Sequence, residues 1–127
     1  MNNLSVENLD TKLEQNIKIF IPNNGVHDYS DAERYGKITY VTKGEVNRFS
    51  VGWIARRWAN ALLNSSKSDC ILVSSLTILT VIGTAIFARK HGRLNLLLFF
   101  NGRYVKREIM IDQLFERSEV NEPSTED

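Results

Sequence analysis

The pattern of hydrophobic and polar positions divides the chain into short strands and longer helices. Apolar, β-prone residues at 17–21 stop at the turn Pro22-Asn23-Asn24-Gly25, which predicts a first strand followed by a turn. An acidic loop at 26–33 follows. A second β-prone run at 37–42 ends at Lys43-Gly44 and predicts a second strand.

Helical spacing appears in the next segment of the chain. Ile54, Trp58, Ala61 and Leu62 fall on one helical face, which predicts a helix from about residue 47 or 50 to residue 63. Trp53 and Trp58 are five residues apart and do not share one narrow stripe. We therefore expect one of the two tryptophans to leave the core face.

Residues 70–88 carry no charge, and a run of this length also fits a membrane span. Hydroxyl and glycine residues inside the run, and a β-prone start at 70–73, favour a strand followed by a helix over 76–91. The basic turn Arg89-Lys90-His91-Gly92 suits the end of that helix. The helix is apolar on nearly all sides, so we expect it to be buried on more than one side and not to cross a membrane.

The last ordered unit is a β-hairpin, because Asn101-Gly102 separates two apolar runs at 93–100 and 103–111. A two-residue turn fixes the register, with Phe100 opposite Arg103 and Asn95 opposite Glu108. We expect Glu108 to form a cross-strand hydrogen bond or ion pair. The predicted core face carries Leu94, Leu96, Leu98, Val105 and Ile109. The opposite, mixed face carries Arg93, Asn95, Leu97, Phe99, Tyr104, Lys106 and Glu108.

The element order ββαβαββ predicts an α+β fold, with a largely antiparallel sheet and two main helices packed against one face. The mixed face would be covered by another subunit, by a ligand or by the N-terminal segment. One domain is expected over residues 17–112. A polar N-terminal segment at 1–16, with at most a short helix, precedes it, and an acidic disordered tail at 113–127 follows it.

Charge is strongly segregated along the chain, although the net charge is only +1. Residues 34–111 hold thirteen basic residues against three acidic ones, which gives +10, whereas the flanks at 1–33 and 112–127 carry −4 and −5. The acidic flanks could simply keep the protein soluble and screen the basic middle. Alternatively, the basic middle is built to hold anions.

The sequence offers little for catalysis or metal binding. One cysteine, Cys70, excludes an intramolecular disulfide and a Cys-rich zinc site, and two histidines make a His-based metal site unlikely to be complete. Cys70 lies in an apolar strand and fits a small core residue better than a nucleophile. No catalytic motif is present, so we expect a non-enzyme without a cofactor. The polar, acidic start is not a signal peptide, which makes the cytoplasm the default location.

Arginine beside an aromatic ring recurs along the basic middle of the chain. A guanidinium holds phosphate, and a flat ring stacks on a base, so these pairs predict nucleotide binding. Such neighbours are also common on ordinary surfaces. The basic residues are mostly arginines scattered singly among apolar residues, which favours pockets for a small ligand over a groove for a nucleic acid. The candidate ligand-binding residues are Arg34, Tyr35, Asn47, Arg48, Phe49, Arg93, Asn95, Phe99, Arg103, Tyr104 and Arg107.

In size, element order and the segments VNRF, FARKHGRLNLLL and NGRY, the chain resembles the small phage-encoded sponge proteins that counter Thoeris defence. The resemblance covers about residues 17–111. It implies a homo-oligomer, with a hexamer expected, that traps a cyclic ADP-ribose isomer made by TIR-domain enzymes without degrading it. It also implies that cyclic oligonucleotides could bind at separate sites, and that the protein works in the cytoplasm of the bacterial host.

Other classes of function stay open at this point. A small basic viral protein that binds DNA or RNA is the main alternative, and steep loss of affinity with salt would mark it. A protein-interaction module would use the apolar part of the mixed face as its contact patch. An enzyme acting on a nucleotide is the remaining class, and product formation would establish it.

Overall fold

The structure, a computed structural model, describes residues 16–74 and 76–114. Nearly all of the N-terminal segment predicted at 1–16 and of the acidic tail predicted at 113–127 therefore lies outside the described residues. The elements, in chain order, are β1 (Lys18–Asn24), a 3₁₀ helix (Ser30–Tyr35), β2 (Lys37–Lys43), α1 (Val51–Ala61), β3 (Cys70–Leu72), α2 (Thr77–His91), β4 (Arg93–Phe100) and β5 (Arg103–Met110). The predicted α+β class and the order of the elements are confirmed.

The five strands form one mixed sheet in the order β2-β1-β3-β4-β5. Pairing is parallel between β1 and β2, between β1 and β3, and between β3 and β4, and only β4 and β5 pair antiparallel. The sheet is thus mostly parallel, whereas the sequence analysis expected a largely antiparallel one. The reason lies in the connections, because each one carries the chain back to the end of the sheet where the preceding strand began, so that the next strand runs in the same direction.

The β4–β5 hairpin has the predicted register along its whole length, from Phe100 opposite Arg103 to Asn95 opposite Glu108 and beyond. Asn101 and Gly102 both adopt positive φ, at 51° and 82°. Positive φ at both central residues is what a type I′ turn requires, and this turn matches the twist of the strands. The local turn chemistry therefore determines the register of the longest strand pair in the sheet.

Both α-helices cover one face of the sheet. Ile54, Trp58 and Leu62 of α1 and its C-terminal turn are buried against Phe20 of β1, as the helical spacing predicted. Trp53 leaves this face and is 41% exposed. The expectation that one tryptophan leaves the core is confirmed.

The helix α2 is less enclosed than its apolar sequence suggested. It buries one stripe, made of Leu79, Gly83 and Phe87. Val81, on another side, is 53% exposed, so the expectation of burial on more than one side does not hold in the described residues. The physical reason is that α2 lies beside α1 in a single layer over the sheet, and the described residues leave its outer side exposed. No helix among residues 16–74 and 76–114 is long and apolar enough to cross a membrane.

The two α-helices touch at a glycine. A Cβ added to Gly83 would lie 2.3 Å from the indole ring of Trp58, so this position of α2 admits no side chain unless the ring moves. Trp58 itself is fully buried. Close approach of the helices at Gly83 therefore sets the distance between α1 and α2.

The second sheet face is covered by the 3₁₀ helix and the residues before it. Tyr29 and Ala32 pack there with Ile19, Ile21 and Leu97. This corrects the predicted hairpin faces. The mixed face supplies the buried residues Asn95, Leu97 and Tyr104, while the predicted core face is only half-buried and Ile109 is 36% exposed. The helices contact β1, β2, β3 and β4, and β5 is the edge strand beyond β4.

Substituting Gly83 with alanine should destabilise the protein by roughly 1–3 kcal/mol, because the added methyl group overpacks the Trp58 contact by more than helix propensity returns. Urea unfolding followed by tryptophan fluorescence measures the change. Gly52→Ala is the matched control, since its Cβ would meet only the Arg56 side chain at 3.6 Å. We expect that variant to be neutral or stabilised by up to about 1 kcal/mol. A Gly83→Ala protein as stable as wild type would show that the helix contact is not tight.

Candidate ligand-binding site

An open cleft of about 320 Å³ lies at the carboxyl ends of the parallel strands. Its walls come from the residues that follow β1 and β3, and from the tip of the hairpin. These residues are His27, Asp28, Tyr29, Val73, Ser74, Phe99 and Tyr104. No part of it comes from the amino ends of these strands.

The topology of the sheet explains why a cleft opens at this place. After β1 the chain crosses one face through the 3₁₀ helix to reach β2, and after β3 it crosses the other face through α2 to reach β4. The two connections leave adjacent strands in opposite directions. In open sheets with parallel strands, such a switch point leaves a crevice beyond the carboxyl ends, and ligands bind there.

Aromatic rings form most of the apolar wall. Tyr29 and Tyr104 are buried at its base, and Phe99 stands beside them with 63% of its surface exposed. The Phe99 and Tyr104 rings are 5.1 Å apart between centroids and inclined by 60°. Burial raises the pKa of both tyrosines above the usual value. Tyr40 raises the pKa of Tyr29 further, and Tyr29 and Asp31 raise that of Tyr104, so both phenols are protonated at neutral pH.

The 3₁₀ helix is fixed to the edge strand through the backbone of Tyr104. The Asp31 carboxylate accepts the Tyr104 N–H at 2.8 Å. The Tyr104 carbonyl accepts the Tyr35 hydroxyl at 3.0 Å and also an N–H of the Arg34 guanidinium, which stacks over the Tyr35 ring. We call these contacts the Tyr104 clamp. The Arg34–Tyr35 pair that the sequence singled out as ligand-binding therefore makes a structural contact.

Polar groups in the cleft are few. The Asp28 carboxylate accepts the N–H of Ser30, and this hydrogen bond lowers its pKa, so it is ionised at neutral pH. The Ser74 hydroxyl is buried and has no hydrogen-bond partner among the described residues. Thr77, the first helical residue of α2, is three positions after Ser74 along the chain, and the start of α2 lines a separate hollow together with Arg48.

Asn95 is a structural residue rather than an exposed ligand contact. It is buried, and its amide donates to the carbonyls of Lys67 and Asp69 at 2.7 and 2.8 Å. Its side-chain oxygen accepts two hydrogen bonds from Arg93. Arg93 also lies 3.4 Å from Glu108, which confirms the expected ion pair of this carboxylate. Asn95 thus joins the loop before β3 to the hairpin.

Apart from Arg103, the remaining candidates do not lie beside the cleft. Asn47, Arg48 and Phe49 are exposed before α1, with the Arg48 guanidinium 5.3 Å from the centre of the Phe49 ring. Arg48 borders a separate hollow at the start of α2. Arg107 is exposed farther along β5. The structure brings together Arg34, Tyr35, Phe99, Arg103 and Tyr104 around the hairpin tip, where Arg103 is exposed. The hydrogen bond from the Tyr104 N–H lowers the pKa of the Asp31 carboxyl, and the charge of Arg103 helps to lower it.

The sequence analysis missed the cleft residues His27, Asp28, Tyr29, Val73 and Ser74. They belong to two segments more than forty residues apart, and only the parallel pairing of β1 with β3 brings them together. Strands that alternate with helical segments typically form parallel sheets, and this was the available signal. Its use would have pointed to the loops that follow β1 and β3.

Groups suited to chemistry lie elsewhere. Burial raises the pKa of the Cys70 thiol to about 11, which keeps it protonated and unreactive at neutral pH. The Ser65 hydroxyl lies 2.8 Å from His91 Nε2, but it donates to the Leu62 carbonyl at the end of α1. Burial and the neighbouring Lys90 lower the pKa of His91. Among the described residues, no group of three or more potential metal ligands occurs.

Replacing Asn95 with alanine should lower the free energy of unfolding by roughly 2–4 kcal/mol, because buried carbonyls lose their donors and Arg93 loses its acceptor. Urea unfolding measures this loss. Asn47→Ala is the matched control, since Asn47 is exposed and accepts only the nearby Phe49 N–H. It should cost less than about 1 kcal/mol. Equal stability of the two variants would contradict the structural role given to Asn95.

Comparison with known proteins gives one finding. No curated protein and no solved structure matches the chain. A family model described as phage Pam3 gp32-like protein matches residues 12–112, which includes every strand and helix described above. The match covers well over half of the 127 residues. The chain therefore belongs to the phage Pam3 gp32-like protein family, a family of phage proteins.

Proposed function

We propose that this phage protein binds a phosphorylated nucleotide in the cleft beyond β1 and β3 and sequesters it without chemical change. The observation that carries the proposal is the exposed Phe99 ring beside the cleft. Solvent exposure of 63% is costly for a phenyl group, and a flat apolar partner would cover it. A nucleobase has this shape, and stacking on an aromatic ring is a common way to hold one.

The polar groups suit the rest of a nucleotide. The ionised Asp28 carboxylate accepts hydrogen bonds, as a ribose hydroxyl requires. The N-terminal end of α2, three positions after Ser74 along the chain, carries a partial positive charge that would attract a phosphate extending from the cleft. The +10 charge of residues 34–111 attracts an anionic ligand from a distance.

The ligand class that we infer is a cyclic ADP-ribose isomer, with cyclic oligonucleotides as a further group. The inference rests on the resemblance to Thoeris sponge proteins and on membership of a phage protein family. Trapping such a signal in the bacterial cytoplasm would counter antiphage immunity. In this proposal the protein is a homo-oligomer, with a hexamer expected from the resemblance, and it needs no cofactor and catalyses no reaction.

A second function, binding of DNA or RNA, is favoured by one separate surface. Around α1 lie three exposed arginine side chains and two exposed aromatic rings. The arginines are Arg48, Arg56 and Arg57, and the rings are those of Phe49 and Trp53. The Arg57 guanidinium lies 5.7 Å from the centre of the Trp53 ring. Aromatic and basic side chains in this arrangement are typical of single-strand binding surfaces.

Replacing Phe99 with alanine should weaken nucleotide binding about 10- to 100-fold, which is the loss expected when one base loses its stacking partner. Isothermal titration calorimetry with cyclic ADP-ribose isomers, ADP-ribose and cyclic dinucleotides measures the affinity. Phe100→Ala is the matched control, because Phe100 is 62% exposed on the adjacent residue but faces the opposite side of the sheet. Its affinity should stay within about twofold of wild type.

Native mass spectrometry of the ligand-bound protein tests whether the ligand is held without chemical change. The ligand should leave with unchanged mass after denaturation, and a changed mass would establish an enzyme instead. Equal loss of affinity in Phe99→Ala and Phe100→Ala would place the ligand outside the cleft. Binding of single-stranded DNA or RNA that falls steeply with salt, without binding of any mononucleotide, would favour the second function.

A further inference from the structure

The outer edge of β5 divides into a covered part and an open part. In a hairpin closed by a two-residue turn, alternate residues direct their backbone N–H and C=O away from the partner strand. On β5 these are Tyr104, Lys106, Glu108 and Met110. The Tyr104 clamp occupies the first of them. Farther along β5, the outward Lys106 carbonyl accepts a hydrogen bond from the Arg107 guanidinium at 2.8 Å, within the part of the chain that the structure describes.

We propose that the open part of β5 pairs antiparallel with β5 of a second copy of this chain, about a two-fold axis at Arg107. A two-fold axis perpendicular to the sheet keeps the two faces separate, so each residue pairs with one of the same face. Centred on Arg107, the register places Lys106 opposite the partner's Glu108 and Val105 opposite the partner's Ile109. This pairing rests on the homo-oligomer of the proposed function, for which it would supply one interface, and it does not depend on the ligand, so titration calorimetry of nucleotide binding tests the two separately.

Charge complementarity at Lys106 and Glu108 favours this register, although the same axis brings Arg107 opposite the partner's Arg107. Moving the axis to Lys106 or to Glu108 would place identical charges directly opposite each other at the outward positions, which destabilises a strand pair. With the axis at Arg107, Lys106 lies close to Glu108 of its own strand and directly opposite the partner's Glu108, and the same holds for Glu108 and the two lysines. The intrachain Lys106–Glu108 distance of 3.4 Å shows that the two side chains already lie on one side of the sheet.

Apolar surface supports the same pairing. Val105 is half-buried and Ile109 is 36% exposed, and both lie on the helix-side face of the sheet. Pairing about Arg107 covers both residues with their counterparts across the axis. The Arg107 side chain is exposed, so its approach to the partner's Arg107 is screened by solvent and salt. Its bond to the Lys106 carbonyl is exchanged for a backbone hydrogen bond.

Cysteine cross-linking tests the register directly. In the proposed pairing, residue 107 faces its own counterpart with the Cα atoms about 4.5 Å apart, which suits a disulfide. Full-length Arg107→Cys should therefore form a covalent dimer under mild oxidation, measured by non-reducing gel electrophoresis. Ile109→Cys should not form this dimer, because residue 109 lies opposite residue 105 of the partner and far from the partner's residue 109. The buried Cys70 remains in both variants, and its thiol is protected by burial.

Charge exchange gives a second readout, measured by sedimentation equilibrium of the full chain. Glu108→Lys should raise the dissociation constant of the dimer about tenfold or more, since like charges then face each other. The double variant Lys106→Glu/Glu108→Lys should return it to within about threefold of wild type. Both carry the same loss of the Arg93 ion pair, so the comparison isolates the pairing across the axis. Circular dichroism verifies that each variant is folded.

Three results would overturn the proposal. One is a wild-type chain that stays monomeric up to about 0.1 mM, a concentration at which even weak interfaces assemble. In that case the charged side chains of β5 act to block edge pairing, as they do in many sheets. Another is equal cross-linking of Arg107→Cys and Ile109→Cys. The third is an assembly that both charge variants leave unchanged, which would place the interface elsewhere.

Discussion

The Tyr104 clamp is the contact on which the second face of the sheet depends. Because β1 and β2 are parallel, the segment that connects them has to cross the sheet face opposite the α-helices. This segment needs contacts that fix it to that face. Asp31, Arg34 and Tyr35 provide them by satisfying the outward backbone groups of an edge strand. The hydrogen bonds hold the 3₁₀ helix over Ile19, Ile21 and Leu97, and so complete the smaller of the two cores.

The same clamp shapes the cleft. It holds Tyr104 rigidly against Phe99, while the segment that it anchors brings His27 and Asp28 to the opposite wall. A wall built from anchored elements costs little further ordering when a flat ligand enters. The clamp also uses the first outward position of β5, and it thereby limits the open edge to the segment that follows. Ligand site and edge are thus set by one group of hydrogen bonds.

Features determined by short stretches of sequence were predictable. The Asn101-Gly102 turn fixed every pair of the hairpin, and helical spacing identified the buried face of α1 with Trp58 inside. The direction of the other strand pairs was not predicted, because it depends on where each connection lies in space. That one difference carried through to the site, since the cleft exists only where β1 and β3 run parallel.

Adjacent arginine and aromatic residues proved to be a weaker signal than their repetition suggested. The chemistry that fits a guanidinium to a phosphate also fits it to a backbone carbonyl, as Arg34 shows, and to an amide oxygen, as Arg93 shows. Sequence alone does not separate the two uses, because both need the same planar donor beside an ordered acceptor. What separates them is whether the protein itself supplies the acceptor. At Arg34 and Arg93 it does, whereas Phe99 has an exposed face that the described residues leave uncovered, and for that reason the argument for a ligand rests on the ring and not on the arginines.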